Sequence, residues 1–459
     1  MTGLSGKPWR LFLSPGNWAC FQGHNFILPT RRMVLLLLAG IFPVLAGYML
    51  DAALAAFWAY NGLLVLCSAA DLLLLPGRSS IGVIRRMPVS ADVGKPFLVE
   101  VEIANNSGRT LNFAVTDDLP DSFSPVRPPE GRVDGKSAVL FYNTAGRERG
   151  KYHFHYIYLR YWGGMGLWKK QARCPCEGEI KIFPDLTAVR GYLSSPRQSL
   201  VLAGRLVRRK VQAGTEFHSI REYLPDDDPR FVNWAASARA GEIMANVYQP
   251  ERGKTVTILL DCGRMMGIHL DGRVKLDRTL EAALILAAVA LRQGDLVSVL
   301  AFSNRVKAYV PPGKGAGHLY EILEAVYHLR SEFVEADYRT ALEYLLLRQK
   351  RRSLVVVLSD MDNYLFEDRL APYLLRLRRT HVPLLLTLND PCLLKRAGAG
   401  VEKTRDVYIK SIARKFIMER REYAEKMRLM GISLLDVPAE SLALAAVNFY
   451  FDVKSRGLL

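Results

Sequence analysis

Two apolar stretches near the start of the chain constrain its fold more than any other feature. Residues 33–50, "MVLLLLAGIFPVLAGYML", carry no charge, and residues 53–75, "ALAAFWAYNGLLVLCSAADLLLL", carry one, Asp71. As α-helices they would be roughly 27 and 35 Å long, against a bilayer hydrocarbon core of about 30 Å. Only Asp51 and Ala52 separate them. The sequence therefore predicts a two-helix transmembrane hairpin, with Asp71 close enough to its end to reach the membrane interface.

Basic residues on both sides of the hairpin indicate its orientation. Arg31 and Arg32 precede the first span, and Arg78, Arg85 and Arg86 follow the second. Because Lys and Arg accumulate on the cytoplasmic side of membrane helices, both ends are expected in the cytoplasm and the turn outside. The alternative is a cleaved signal peptide followed by a core helix. A signal peptide has a shorter apolar region, however, and no second span follows it directly.

The formal net charge of +17, from 62 Lys and Arg against 45 Asp and Glu, agrees with a domain held near an anionic leaflet. Each basic residue near such a surface contributes about 1 kcal/mol of attraction, although basic clusters also occur as solvated helix faces. The sequence has no zinc finger, RNA-recognition signature or basic stripe interleaved with aromatic residues. Membrane lipids are therefore expected partners, and nucleic acid is not.

Hydrophobic patterning divides the chain behind the anchor. Residues 1–32 are predicted to be a cytoplasmic N-terminal segment, and residues 33–77 the hairpin. Residues 80–190 contain short segments of period-two alternation, such as "PFLVEVEIAN" (96–105), separated by Gly, Pro and Asp. This pattern predicts an antiparallel β-sandwich.

The remainder of the chain has a different pattern. Residues 251–459 alternate short apolar runs, such as "TVTILLD" (255–261) and "SLVVVLSD" (353–360), with segments of helical spacing. Strands that are apolar on both faces and separated by helices predict an α/β domain with a mostly parallel sheet. "VKAYVPP" (306–312) is expected to be an antiparallel edge strand.

The segment at 200–250 concentrates charged and aromatic residues, above all in "GTEFHSIREYLPDDDPRFVNWAASARAGEIM" (214–244). Opposite charges beside large rings favour carboxylate–guanidinium pairs that fix one geometry. The segment is either a docking surface or a switch, or else a structural clasp between the modules, and these roles are compatible. The candidate interaction residues are Arg221, Asp228, Arg230, Trp234 and Arg239.

The same segment resembles the signature of domain-of-unknown-function family fifty-eight, a set of bacterial membrane-anchored proteins. The matching positions are Glu216, Phe217, Arg221, Glu222, Tyr223, Pro225, Asp227, Asp228, Arg230, Asn233, Trp234, Ser237 and Arg239. Asp226 replaces the turn glycine of the family and Ala235 replaces a lysine. The order of the modules is also similar. The resemblance implies a bacterial cell-membrane protein, multi-pass and mainly cytoplasmic, that works with a MoxR-type AAA+ ATPase in assembling or maturing other proteins.

The α/β module of this family resembles a Rossmann-like von Willebrand factor A-type domain. Such domains often hold Mg²⁺ through Asp-x-Ser-x-Ser, a Thr and a second Asp, which Asp261, Thr340 and Asp360 match. Gly263 and Met265 stand at the two Ser positions. Mg²⁺ requires about six hard oxygen ligands, whereas a thioether is soft and glycine has no side-chain donor. The site is thus degenerate: it either binds a weakly held ion, or its carboxylates bond the backbone at the sheet edge.

A phosphatase-like hydrolase using Asp261 and Asp360 is the alternative, because both carboxylates follow buried strands. A nucleophilic Asp would need a second carboxylate two residues on, a phosphate-binding hydroxyl and a lysine. Asp261 has Gly263 at that place, and Asp360 has Asp362 but no Thr or Ser two residues further. The sequence also lacks a Gly-rich phosphate loop. We therefore expect a membrane-anchored scaffold or adaptor with no catalytic residues and no cofactor.

Overall fold

The computed structural model describes residues 26–187, 189–190, 201–202, 205–206, 216–225, 227–249, 253–270, 272–361, 370–400 and 403–459. They belong to two compact units, Met1–Ile182 and Phe183–Leu459. Each unit has its own hydrophobic core.

The first unit begins with strand β1 (Phe26–Pro29) and three apolar helices, α1 (Arg31–Ala39), α2 (Ile41–Met49) and α3 (Ala53–Leu74). Helices α1 and α2 together make one segment of 19 residues, and α3 has 22. Almost none of either segment is buried, so their apolar side chains remain without a protein core. By length and composition, both segments can cross a membrane.

The rest of this unit is β-rich. One antiparallel sheet has the order β1-β9-β8-β5-β6, with β3 also paired to β9, and a second has the order β2-β4-β7. Alternate residues of β4 are buried, as period-two patterning requires, and the two sheets share one core. The strands are β2 (Ile81–Arg86), β3 (Ser90–Asp92), β4 (Phe97–Asn105), β5 (Leu111–Asp117), β6 (Glu130–Val133), β7 (Ser137–Thr144), β8 (Gly150–Trp162) and β9 (Trp168–Phe183).

The second unit contains the segment that resembles the family signature. It forms a short antiparallel sheet of two strands with a 3₁₀ turn, Pro229–Phe231, and a short helix between them. We refer to residues 216–249 as the signature hairpin. Its elements, and the two short strands before it, are β10 (Val201–Leu202), β11 (Arg205–Leu206), β12 (Glu216–Glu222), α4 (Trp234–Ala240) and β13 (Met244–Gln249).

The α/β region follows, built on a six-stranded sheet of order β18-β17-β14-β19-β20-β21. All neighbouring strands are parallel except β18, which is an antiparallel edge strand as the sequence predicts. The strands are β14 (Thr255–Asp261), β15 (His269–Leu270), β16 (Arg273–Val274), β17 (Leu296–Phe302), β18 (Val306–Gly313), β19 (Ser353–Ser359), β20 (Val382–Asn389) and β21 (Ser433–Pro438).

Helices cover both faces of this sheet. On β14, Ile258 belongs to the core shared with α5, α6 and α11, and Leu259 to the core shared with α7, α8 and α10. A strand covered on both faces has to be apolar throughout, which explains its sequence. The helices are α5 (Lys275–Arg292), α6 (Gly315–Val326), α7 (Tyr338–Arg348), α8 (Ala371–Arg378), α9 (Pro391–Gly398), α10 (Thr404–Leu429) and α11 (Leu442–Ser455).

Candidate functional site

Asp261 ends β14 at the carboxyl edge of the parallel sheet, and its side chain is fully buried. Oδ1 accepts the backbone N–H of Gly263 at 2.7 Å. Oδ2 accepts the hydroxyls of Tyr338 at 2.9 Å and Ser359 at 2.6 Å. Burial raises the pKa of the Asp261 carboxyl because its charged form is desolvated, and these three hydrogen bonds oppose the rise. Both carboxylate oxygens are therefore engaged by donors of the protein itself.

Asp360 follows the neighbouring strand β19 and is also fully buried. It accepts a charge-assisted hydrogen bond from the ammonium of Lys275, which begins α5 and is 3% exposed. On its other side, Nη1 of Arg420 lies 3.8 Å from Oδ1. Arg420 also pairs with Asp436 at 2.6 Å and donates to the Leu388 carbonyl at 2.8 Å. The result is a buried network in which two cations neutralise two carboxylates.

Thr340, the third predicted metal ligand, has other surroundings. It lies exposed in the first turn of α7, and its hydroxyl donates to Oδ2 of Asp337, the helix N-cap, at 2.6 Å. Tyr338, two residues earlier, is the α7 residue that reaches Asp261. Helical residues two apart project about 200° apart, so Tyr338 and Thr340 cannot both face the sheet edge. The structure brings Asp261 and Asp360 to one edge and turns Thr340 away.

The described residues at this edge do not fit a divalent cation. A Cβ at Gly263, as a serine would have, would lie 3.0 Å from Asp261 Oδ1 and 3.2 Å from the Ala336 Cβ. Within the described ranges, no group of three or more His, Cys, Asp or Glu is placed to hold a metal. The Lys275 ammonium already supplies positive charge to Asp360. Asp362, considered as an assisting ligand, lies outside the described residues.

The same geometry disfavours the hydrolase alternative. A nucleophilic carboxylate has to approach the substrate phosphorus, but Asp261 and Asp360 are both 0% exposed. Their oxygens are held by Tyr338, Ser359 and Lys275. At this edge of the sheet, the buried carboxylates of Asp261 and Asp360 are hydrogen-bonded by donors of the protein, as buried polar groups of a structural core usually are.

In the signature hairpin, Asp227 closes the turn after β12. Its Oδ1 pairs with Nη2 of Arg221 at 2.6 Å, and its Oδ2 accepts the Leu224 N–H at 2.9 Å. The Tyr223 hydroxyl donates to the Asp227 carbonyl at 2.9 Å. The Leu224 N–H and the Arg221 guanidinium hold the pKa of Asp227 below its usual range. Arg221, a predicted interaction residue, thus fixes the local turn.

Asp228 and Arg230 form a second local pair. Asp228 accepts the guanidinium of Arg230 at 2.8 Å and its backbone N–H at 3.0 Å, and these two hydrogen bonds, the guanidinium's first, lower the pKa of the Asp228 carboxyl. The Arg230 side chain is 87% exposed. Because the partners are two residues apart, this pair shapes the 3₁₀ turn and leaves the guanidinium facing solvent.

Asn233 and Ser237 join α4 to β13, and sequence reasoning did not single them out as site residues. The Asn233 side chain caps α4 through the Ala236 N–H at 3.0 Å. The Ser237 hydroxyl donates to the Asn233 carbonyl and accepts the Met244 N–H, both at 2.8 Å. Asn directly before a run of small helix-forming residues is an ordinary N-cap pattern, and this pattern could have identified Asn233 from the sequence.

Trp234 and Arg239 lie on the short helix that this framework holds. Trp234 begins α4 and is 74% exposed, and Arg239 lies exposed in its last turn. Other large apolar side chains of the hairpin are also exposed. We call this set the signature surface; it comprises Phe217, Ile220, Leu224, Trp234 and Ile243.

In the first unit, a buried carboxylate attaches the apolar helices to the β-rich region. Asp71, on α3, is 2% exposed, and its Oδ2 accepts the N–H groups of Leu167 at 2.8 Å and Trp168 at 2.9 Å. Thr30, before α1, donates its hydroxyl to the Gly166 carbonyl at 2.6 Å. The loop "WGGMGLW" (162–168) therefore holds both ends of the helical segment. Asp71 is thus engaged by the protein, where the sequence suggested that it reaches the interface.

Comparisons with known proteins agree with the signature. Residues 219–391 match the family model described as "Protein of unknown function DUF58". The uncharacterized protein YeaD of Bacillus subtilis (strain 168) is 25% identical over 126 residues, which are 28% of this chain. The match spans only 31% of YeaD, so the chain covers about a third of that relative.

Two solved structures share limited similarity with the chain. The conserved hypothetical protein BatB from Bacteroides thetaiotaomicron is 13% identical, covering 44% of this chain and 100% of that chain, with a TM-score of 0.31. Proximal thread matrix protein 1 from the mussel byssus is 12% identical, covering 44% and 46%, with a TM-score of 0.25. These TM-scores are too low to define a shared fold. Over residues 219–391 the chain is therefore similar to the family described as a protein of unknown function DUF58, and YeaD is a distantly similar protein.

Proposed function

We propose that this protein is a membrane-anchored, non-enzymatic scaffold that holds other proteins at the cytoplasmic side of a bacterial cell membrane. The observation that carries the proposal is the signature surface, where Trp234 is 74% exposed on a helix fixed by side-chain hydrogen bonds. Large apolar residues exposed on a rigid support are typical of protein-binding surfaces, and Trp and Arg dominate such interfaces energetically.

The anchor in this proposal is a multi-pass hairpin with both ends in the cytoplasm. The two apolar segments have suitable length and little buried surface, and Arg31, Arg32 and Arg78 flank them. The hydrogen bonds of Thr30 and Asp71 to the 162–168 loop would make the anchor a firm mount for the β-rich region.

The α/β region is, on this proposal, a degenerate von Willebrand factor A-type domain with a structural role. Its sheet edge is filled by the Tyr338 and Ser359 hydroxyls and the Lys275 ammonium. Because the Lys275 ammonium supplies the positive charge that a metal ion would otherwise bring, we assign this edge a structural role, and neither ion-dependent binding nor catalysis.

The partner we propose is a MoxR-type AAA+ ATPase, as the resemblance to the family implies. The ATPase would hydrolyse the nucleotide that drives assembly or maturation of client proteins, and the scaffold would hold the ATPase at the membrane. Trp234 and Arg230 offer an apolar contact and a solvent-facing guanidinium, which are complementary to an interface rich in aromatic residues and carboxylates.

The test is retention of the MoxR-type ATPase of the same organism by the full-length chain in nanodiscs. We expect Trp234→Ala to weaken binding by tenfold or more, since buried interface tryptophans commonly contribute about 2 kcal/mol or more, and Arg230→Ala to weaken it further. Phe333→Ala is the matched control, because Phe333 is 94% exposed outside the signature hairpin. The proposal fails if the intact chain retains no ATPase or other protein, or if Trp234→Ala binds like Phe333→Ala.

A further inference from the structure

The outer face of the sheet formed by β1, β9, β8, β5 and β6 carries a cluster of cations at the base of the apolar helices. Tyr161 pairs with Lys170 and Arg160 with Gln171 in the β8–β9 register. The next position of this antiparallel register places Trp162 opposite Lys169. Opposite residues share a face, and side chains two residues apart on one strand point the same way, so Arg160, Trp162 and Lys169 project from the same face. The Lys169 ammonium lies 4.1 Å from the centre of the Trp162 ring. We call Arg31, Arg160 and Lys169 the basal cations.

Two of the basal cations, Lys169 and Arg31, are poorly neutralised. In the described part of the chain, neither Lys169 nor Arg31 forms an ion pair, and Glu130 is the one acidic group that raises the pKa of Lys169. Desolvation, with Arg160 and Arg31 nearby, lowers that pKa overall. An ammonium that is desolvated and surrounded by like charge is unfavourable, and an incoming anion would offset this cost.

The cluster lies where the apolar helices begin. Arg31 is the first residue of α1, and the uncharged run starts two residues later at Met33. Lys169 pairs in register with Leu28 on β1. The preceding residue, Trp168, donates its backbone N–H to Asp71 on α3. If the helices span a bilayer, this level corresponds to the phosphates and glycerol of the lipid headgroups, where tryptophan is also enriched.

We propose that Arg31, Arg160 and Lys169 bind the phosphate of an anionic lipid headgroup, with Trp162 packed at the level of the lipid glycerol. The inference rests on the proposed membrane anchor and adds to it a specific class of lipid. A lipid is favoured over a soluble phosphate because the cations surround the start of a helix whose next turns are exposed leucines, Leu35 and Leu36. Such a helix would bring acyl chains and headgroups to the same place.

The test uses the full-length chain in nanodiscs of phosphatidylcholine with increasing phosphatidylglycerol, and native mass spectrometry of the lipids that remain bound. We expect the wild type to prefer phosphatidylglycerol and the double variant Arg31→Gln, Lys169→Gln to lose about tenfold in that preference, given the attraction of each basic residue to anionic lipid. The control, Arg339→Gln with Lys415→Gln, has the same net charge but changes exposed residues of the second unit.

The outcomes separate this inference from the anchor itself. Flotation with pure phosphatidylcholine vesicles after alkaline washing measures anchoring, and its failure contradicts the proposed anchor. Normal flotation with equal lipid preference in the wild type and the Arg31, Lys169 double variant contradicts only the headgroup site. If glycerol phosphate competes as well as the intact lipid does, the site takes soluble phosphate and the lipid assignment is wrong. Unchanged thermal melting in phosphatidylcholine shows that the variants fold.

Discussion

Lys275 shows what a single side chain contributes at the residue scale. It stands at the start of α5, 85 residues before Asp360, yet its ammonium bonds the buried Asp360 carboxylate. Taking both charges out of water is costly, and the pair is tolerable only because each neutralises the other. The lysine is therefore a fixed internal cation at the carboxyl edge of the parallel sheet.

Replacing Lys275 by Met should destabilise the α/β region strongly. The substitution leaves Asp360 buried without its lysine, with the Arg420 guanidinium 3.8 Å away, and breaking a buried pair costs about 3–5 kcal/mol. Denaturant unfolding of the full-length chain would measure the loss, and adding Asp360→Asn should recover part of it. Lys415→Met, at an exposed helix position, is the control. Equal stability of the two lysine variants would contradict the role assigned to Lys275.

Asp261 should make the stability of the protein depend on pH in a defined direction. Its folded pKa is raised above 3.8 by burial, so the folded state keeps a proton that the unfolded state has released. Its contribution to stability therefore declines as pH rises from about 3.8 through the folded pKa. The Asp261→Asn variant lacks this dependence. As pH rises, the free energy of unfolding of the variant should therefore increase relative to that of the wild type, by about 1.4 kcal/mol for each unit by which folding raises the pKa of Asp261. Unfolding measured between pH 4 and 7 would show the opposite trend if the hydrogen bonds outweighed burial.

At the element scale, the 162–168 loop and α3 are joined by hydrogen bonds that neither could make alone. Leu167 and Trp168 present two backbone N–H groups, and Asp71 on α3 supplies one carboxylate oxygen for both. The Trp168 indole adds a bond to Ser68 one turn earlier, at 2.8 Å. A glycine-rich loop has few polar side chains of its own, so these contacts of its backbone fix where the helices leave the sheet.

Asp71→Ala should release this junction. It leaves the two N–H groups without their acceptor, at about 1–3 kcal/mol for each buried group. We expect faster hydrogen exchange at Leu167 and Trp168 in nanodiscs, while exchange in the α/β region stays unchanged. Asp121→Ala, at an exposed turn of the same unit, is the control. Unaltered protection at residues 167–168 would show that Asp71 does not hold the loop.

At the scale of the whole molecule, the proposed hairpin anchor predicts one orientation in the membrane. The turn between the two apolar segments contains Asp51, whose positive φ of 56° is the left-handed conformation that Asp and Asn adopt more readily than other residues with a Cβ. Arg31, Arg32 and Arg78 lie close to the two apolar segments, and basic residues this near to membrane helices favour the cytoplasmic side under the positive-inside rule.

Cysteine labelling would test this orientation. With the other cysteines replaced by serine, Asp51→Cys should react with a membrane-impermeant maleimide in intact cells. Cys392, which is exposed in the second unit, should react only after permeabilisation. The reversed pattern would place the bulk of the chain outside the cytoplasm, and labelling of both sites in intact cells would contradict a spanning hairpin.

The sequence alone determined the elements, because hydrophobic periodicity is a property of neighbouring residues. The strand expected at 255–261 is β14 with the same limits, and the run at 306–312 is the antiparallel edge strand β18. The apolar helices near the start were equally evident, since length and composition suffice to define them. Strand alternation in the β-rich region also follows from local pattern.

Only the tertiary structure decided which side chains meet at the sheet edge. Lys275 and Asp360 are 85 residues apart, and Asp71 and Leu167 are 96 apart. Tyr338 faces Asp261 although Thr340 matched the motif, because the angle at which α7 packs on the sheet selects the inward residue. Burial and pairing depend on groups that folding brings together, and local sequence carries no record of their distances. For that reason the chain's pattern revealed its architecture, and its folded state revealed which charges neutralise one another.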